Sequence, residues 1–110
     1  MAEQRREYYR VQYPVADRPV LSAKTGQFEV MDVSEFGVRF RQDAPHVFEP
    51  GINLEARIRF NDGYEHEFGG EILRCDADSV SVKLHKPISL RRIQAESVYL
   101  MVNYKGRLTN

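Results

Sequence analysis

Leu54-Glu55-Ala56-Arg57-Ile58-Arg59-Phe60-Asn61-Asp62-Gly63 is the stretch that decides the fold. Leu54, Ala56, Ile58 and Phe60 alternate with Glu55, Arg57, Arg59 and Asn61. That period of two lets a strand bury one face and wet the other. Asn61-Asp62-Gly63 then predicts a hairpin, because Asp-Gly accepts the positive φ of a tight turn. The returning strand is expected from about Tyr64 to Arg74, with Gly69-Gly70 marking a bulge or bend. Asp76 to Asp78 turns the chain again, and Val80, Val82 and Leu84 alternate with Ser79, Ser81 and Lys83.

Upstream, Val20 to Lys24 reads as a short strand, and Gly26 punctuates it before a second strand from Phe28 to Ser34. Gly37 interrupts again, after which Val38 and Phe40 alternate with Arg39 and Arg41. Residues 42–52, with two prolines and a glycine, read as a loop. Downstream, Pro87 closes the strands and Ser89 can cap a helix. Leu90, Ile93, Leu100, Met101 and Tyr104 recur near helical spacing, with Ser97 inside the stripe, Val98 and Val102 widening it, and Gly106 placed to end it. Antiparallel strands followed by one helix imply a mainly β domain, a small barrel or sandwich with a helix packed on it. The first ten residues are polar and aromatic without clean periodicity, which reads as a tail or arm.

Composition bounds the function. A chain of 110 residues with 42% apolar content is about one domain and long enough to hold a core. Sixteen basic and sixteen acidic residues cancel, which argues against a general nucleic-acid binder. The zero conceals uneven fields: residues 1–41 carry net +1, residues 42–80 net −6, and residues 81–110 net +5. Twelve of the sixteen cations are Arg, whose planar fork suits phosphate, carboxylate and guanine edges. The lone Cys75 cannot form an intramolecular disulfide, and no Cys/His spacing suggests zinc. His46, His66 and His85 pair with no nucleophile or metal-ligand pattern, and the carboxylates of residues 62–78 read as a solvated face. The chain is therefore expected to be no enzyme, with no metal and no cofactor. The absence of a long apolar run or an apolar N-terminal centre leads us to expect a cytoplasmic protein without membrane insertion.

Two segments carry more. Arg5, Arg6 and Arg10 crowd a short arm beside Tyr8 and Tyr9. In Asp32-Val33-Ser34-Glu35-Phe36-Gly37, a carboxylate and a hydroxyl two residues apart share a strand face, and Gly37 allows a tight turn or a close approach. Arg-x-x-x-Arg at Arg6 and Arg10, followed by Asp-x-Ser-x-x-Gly at Asp32, Ser34 and Gly37, resembles the signature of the PilZ domain, a family of bacterial cyclic di-GMP receptors.

The resemblance implies a six-stranded antiparallel β-barrel with a flexible N-terminal arm and a C-terminal α-helix. One domain would then span residues 1–110, with the arm at 1–12, the barrel at 19–86 and the helix at 89–105. It implies a ligand site of Arg5, Arg6, Arg10, Asp32, Ser34 and Gly37. The arginines would meet phosphate or guanine, Asp32 would take the guanine N1–H and N2–H donors, and Ser34 would hydrogen-bond nearby. Arg5, just before the first motif, implies two cyclic di-GMP molecules per chain. Ligand would order the arm and create a surface for a separate effector protein, with outputs in flagellar motility, biofilm or virulence. The alternatives are a PilZ-like protein-interaction adaptor that binds no nucleotide, and a small-barrel single-strand binder using Lys83 to Arg92.

Overall fold

A computed structural model describes residues 9–43 and 48–108, with side chains to Tyr104. Seven strands and one helix follow in order: β1 Val11–Gln12, β2 Val20–Ala23, β3 Gly26–Val33, β4 Gly37–Arg41, β5 Asn53–Arg59, β6 Glu65–Cys75, β7 Ser79–Leu84 and α1 Leu90–Leu108, with a 3-10 turn at Val15–Asp17 after β1. Every pairing is antiparallel. Running β2-β5-β6-β7-β4-β3 and back to β2, six strands close on themselves, so the barrel leaves no open edge among them. The predicted six-stranded barrel and helix are present. β1 is an additional strand that the sequence did not announce: it pairs Val11 with Val33 and Gln12 with Asp32, so the end of the expected arm belongs to the sheet.

The alternating strands behave as their period requires. Ile58 and Phe60 are buried with Leu54, while Glu55, Arg57 and Arg59 are exposed. The hairpin closes through Phe60 and Tyr64, with Gly63 at φ 93°, the left-handed residue of a three-residue loop. Phe28, Phe40 and Phe48 fill one region of the core, with ring centroids 5.2 to 5.3 Å apart. Tilted and edge-on rings at that spacing are the favoured arrangement.

Two sequence expectations need correction. Gly69 and Gly70 do not bulge; they pair in register with Glu55 and Leu54. The irregularity falls at Leu73, between Ile72↔Val82 and Arg74↔Ser81. Gly70 is needed for close approach instead, because a Cβ there would lie 2.6 Å from both the Lys83 carbonyl and Val82 Cγ1. Gly70→Ala should therefore destabilise the barrel by about 1–3 kcal/mol, the usual range for overpacking, read as a lowered urea midpoint; an unchanged midpoint would refute the clash.

Gly106 does not end the helix, which continues to Leu108 after leaving helical geometry at Tyr104 (φ −123°, ψ 19°). There the Tyr104 hydroxyl donates to Asp17 Oδ2 at 3.0 Å. Of the predicted stripe, Ile93 and Leu100 are buried, but Leu90 and Met101 are exposed. The inward stripe instead takes in Glu96, which is 3% exposed. A buried carboxylate needs partners. Glu96 has them: the Tyr13 hydroxyl donates to Oε1 at 2.7 Å and Arg92 Nη1 to Oε2 at 2.8 Å. Arg92 also reaches Asp62 Oδ2 at 3.0 Å and lies over the Tyr64 ring, 4.2 Å from its centroid. Ser89 caps the helix by accepting from the Arg92 backbone N–H at 3.1 Å.

Candidate functional site

Asp32 sits where β3 is irregular. On β3, Val30 pairs with Phe40, whereas Asp32 pairs with Arg39 and Val33 with Val38. Met31 is the extra residue of a bulge. Without it, Val30 and Asp32 would share the inner face; with it, Val30 and Val33 both point into the core and Asp32 turns outward beside Arg39. The bulge breaks the alternation between Val30 and Asp32 and lies upstream of the pair Asp32 and Ser34.

Turned outward, Asp32 is nevertheless covered: its side chain is 2% exposed. Arg10 Nη1 donates to Oδ1 at 2.8 Å and Arg39 Nε to Oδ2 at 2.9 Å. These charge-assisted bonds satisfy the carboxylate from two directions. Arg10 stands one residue before β1, whose pairing with β3 brings the guanidinium over Asp32.

Ser34 and Gly37 close the turn from β3 to β4. The Ser34 backbone N–H donates to the Gly37 carbonyl at 2.8 Å. A Cβ on Gly37 would lie 3.2 Å from Ser34 Oγ, so the close approach that Gly37 permits is to the Ser34 hydroxyl. The turn is tied to the barrel, since Leu84 N–H donates to the Phe36 carbonyl at 2.9 Å and Ile88 N–H to that of Glu35 at 2.7 Å. The structure thus brings Arg10, Asp32, Ser34 and Gly37 together. Arg5, Arg6, Tyr8 and His46 lie outside the described residues. Tyr9, at the start of the described chain and 60% exposed, meets Ser97 Oγ on α1 through its hydroxyl at 3.2 Å.

Other residues belong to the same place. A hollow of about 140 Å³ is lined by Arg10, Phe36, Gly37, Arg39, Leu73 and Lys83, among others. Lys83 pairs with Gly37 and Ser81 with Arg39 across β4 and β7. The bulge on β6 leaves Leu73 56% exposed at the rim. Three cations and apolar side chains, Phe36 and Leu73 among them, therefore line one small hollow, and two of those cations, Arg10 and Arg39, hold the Asp32 carboxylate. The arrangement suits a compact anion that also carries hydrogen-bond donors and a flat apolar face. From the sequence, Arg39, Ser81 and Leu73 carry no expected role in a site, and Lys83 is expected only in the rival single-strand-binding segment. Arg39 was within reach, two residues beyond Gly37 on the wet side of an alternating strand; Lys83 and Leu73 arrive through pairing between distant strands.

The rival features are less coherent. His66 and His85 line a groove of about 860 Å³ with Ser22, Arg57 and Glu67, and burial lowers the pKa of His66. No group of His, Cys, Asp and Glu among the described residues could hold a metal ion. Cys75 donates to the Phe48 carbonyl at 3.4 Å, and burial pushes its thiol pKa up, the opposite of an activated nucleophile. In the basic segment, Arg92 is committed to Asp62 and Glu96, which weakens the case for a strand-binding surface there. That pair also joins the acidic middle of the chain to its basic end within one molecule. Among the described residues, no helix is long and apolar enough to cross a membrane.

A family model described as the PilZ domain matches residues 4–99. No curated protein sequence matches the chain. Among solved structures, the fold is similar to the Bacillus subtilis inhibitor of motility MotI/DgrA, at 18% identity and TM-score 0.61 over 94% of this chain and 53% of that one. It is also similar to Escherichia coli YcgR in complex with c-di-GMP, at 14% identity and TM-score 0.62 over 96% and 49%. An uncharacterized Legionella protein matches at 18% identity and TM-score 0.52 over 93% and 95%. The chain spans about half the length of the first two. At these identities the likeness is one of fold.

Proposed function

Since the chain belongs to the PilZ domain family, we propose that it is a receptor for cyclic di-GMP that works by capture and reordering, without chemistry. The observation that carries this reading is the pairing of Arg10 with a covered Asp32 beside Ser34 and Gly37, on a face that also presents Arg39 and Lys83. Two guanines and two phosphates need cations, acceptors for the guanine edge and stacking surface. Arg10 and the arm arginines Arg5 and Arg6 supply the first, Asp32 with Ser34 the second. The solved complex of YcgR with c-di-GMP supports the choice of ligand.

In this reading Arg10 leaves Asp32 Oδ1 for a ligand phosphate, and Asp32 accepts guanine N–H donors in its place. The arm bearing Arg5 and Arg6 then folds over β3 and takes a second ligand molecule. The new surface engages a separate effector protein in the cytoplasm, acting on motility, biofilm or virulence; the similarity to an inhibitor of motility favours the first.

Calorimetric titration with cyclic di-GMP tests this. The expected result is saturable binding with Kd of roughly 0.1–10 µM, equivalent to about −9.5 to −7 kcal/mol, and close to two ligands per chain. No heat at tens of micromolar ligand would overturn the receptor reading in favour of an adaptor that binds no nucleotide. Equally tight binding of single-stranded RNA would favour a nucleic-acid role.

A further inference from the structure

Asp32 carries two arginines, and they are not equivalent. Arg39 lies in the middle of barrel strand β4, its backbone paired with Asp32 on one side and Ser81 on the other. Arg10 precedes β1, a strand of two residues paired with β3. They use different oxygens, Arg39 Nε on Oδ2 and Arg10 Nη1 on Oδ1. From this geometry we infer that Arg39 is the permanent counter-charge of Asp32, a positioning residue that keeps the carboxylate correctly rotated while Arg10 is exchanged for ligand. The inference rests on the cyclic di-GMP reading for its ligand, but not for its asymmetry.

The physical need comes from burial. With Arg10 in place 2% of the Asp32 side chain is exposed, and Arg39 is the charged partner that stays when Arg10 departs. A buried carboxylate left with neutral partners alone loses several kcal/mol of solvation that nothing replaces. Arg39 removes this obstacle. Its bond to Oδ2 persists through the exchange and fixes the plane of the carboxylate, so Oδ1 faces the position Arg10 vacates. A carboxylate oxygen accepts more than one bond, so Oδ2 remains able to accept a second donor. The ligand then replaces one cation of two, and the site stays neutralised throughout. Arg39 also contributes to guanine selectivity, because a carboxylate held in one rotation rewards N1–H and N2–H donors that adenine lacks.

Two experiments on the full chain test this separately from the ligand reading. Without ligand, Arg39→Gln should lower the thermal midpoint by several degrees, an effect that disappears in an Asp32→Asn background, while Arg10→Gln lowers it by less than half as much. Equal shifts for the two arginines, or an Arg39→Gln effect unchanged by Asp32→Asn, would overturn the assignment. With ligand, Arg39→Gln should weaken cyclic di-GMP by about 30-fold or more, as expected when one partner of a buried charge pair is removed. Its preference over cyclic di-AMP should shrink, and Arg39→Lys should restore part of both. In wild-type protein the Arg39 Nε–H resonance should keep its hydrogen-bonded shift at saturation. A vanished resonance, or equal weakening of both dinucleotides, would mean that Arg39 contacts the ligand directly. Failure of wild-type protein to bind cyclic di-GMP would remove the receptor reading and leave the ligand-free comparison to decide the asymmetry.

Discussion

Asp32→Ala is expected to weaken cyclic di-GMP binding by at least ~2 kcal/mol, about 30-fold, because it strands the donors that the carboxylate accepts. The substitution should spare the fold. Asp32 is covered, but its partners Arg10 and Arg39 are 40% and 33% exposed at the side chain, so both guanidinium groups can turn to water. Calorimetry together with a thermal melt separates the two effects. A variant that melts near wild type and does not bind supports Asp32 as the ligand's acceptor. One that melts near wild type with an unchanged isotherm would place the site elsewhere on the barrel.

The second large effect is structural. Glu96→Ala should destabilise the domain by about 3 kcal/mol, since it leaves the buried Tyr13 hydroxyl without its acceptor and removes one of the two carboxylates around Arg92. For a domain of this size that is a midpoint drop of roughly 10 °C or more. Glu96→Gln keeps an oxygen for Tyr13 and should cost about 1 kcal/mol, a typical single hydrogen bond. Urea denaturation of both, with the exposed Glu55→Ala as control, checks this; a loss no greater than the control's would show that the contacts of Glu96 with Tyr13 and Arg92 do not stabilise α1 against the barrel.

The same latch has a defined pH response. Burial first, and then the acceptor Glu96, raise the Tyr13 phenol pKa far above its ordinary value of 10.0. A raised pKa means the contribution is complete below the unfolded value and is lost as pH rises past about 10, where unfolded tyrosine ionises. Stability attributable to Tyr13 should therefore be flat across neutral pH and decline only in alkali. Tyr13 lies three residues after Arg10, so the latch also fixes the strand that carries Arg10 into the site.

Much of this molecule was legible from residue order. Leu54 to Phe60 and Val80 to Leu84 alternate because each strand has one dry face, and a period of two can be read without knowing what lies opposite. Asn61-Asp62-Gly63 was legible because positive φ is a local demand that Gly63 meets. The motif residues were legible as types at fixed spacings, cations on an arm and an acceptor near a turn.

What the chain order does not contain is where register slips and what distant strands bring. The bulge at Met31 turns Asp32 out of the core, and the bulge at Leu73 sets an apolar side chain at the rim; both exist only relative to the partner strands β4 and β7. Arg39, Lys83 and the latch of Tyr13, Glu96 and Arg92 depend in the same way on contacts across the fold. Burying Glu96 is unfavourable until Tyr13 and Arg92 are both in place, so helical periodicity assigns that position to solvent. Local pattern therefore determined the elements and the candidate ligand groups. Only barrel closure decided which face Asp32 presents and which second arginine accompanies it there, because the pairing energy that fixes register is shared between strands distant in sequence.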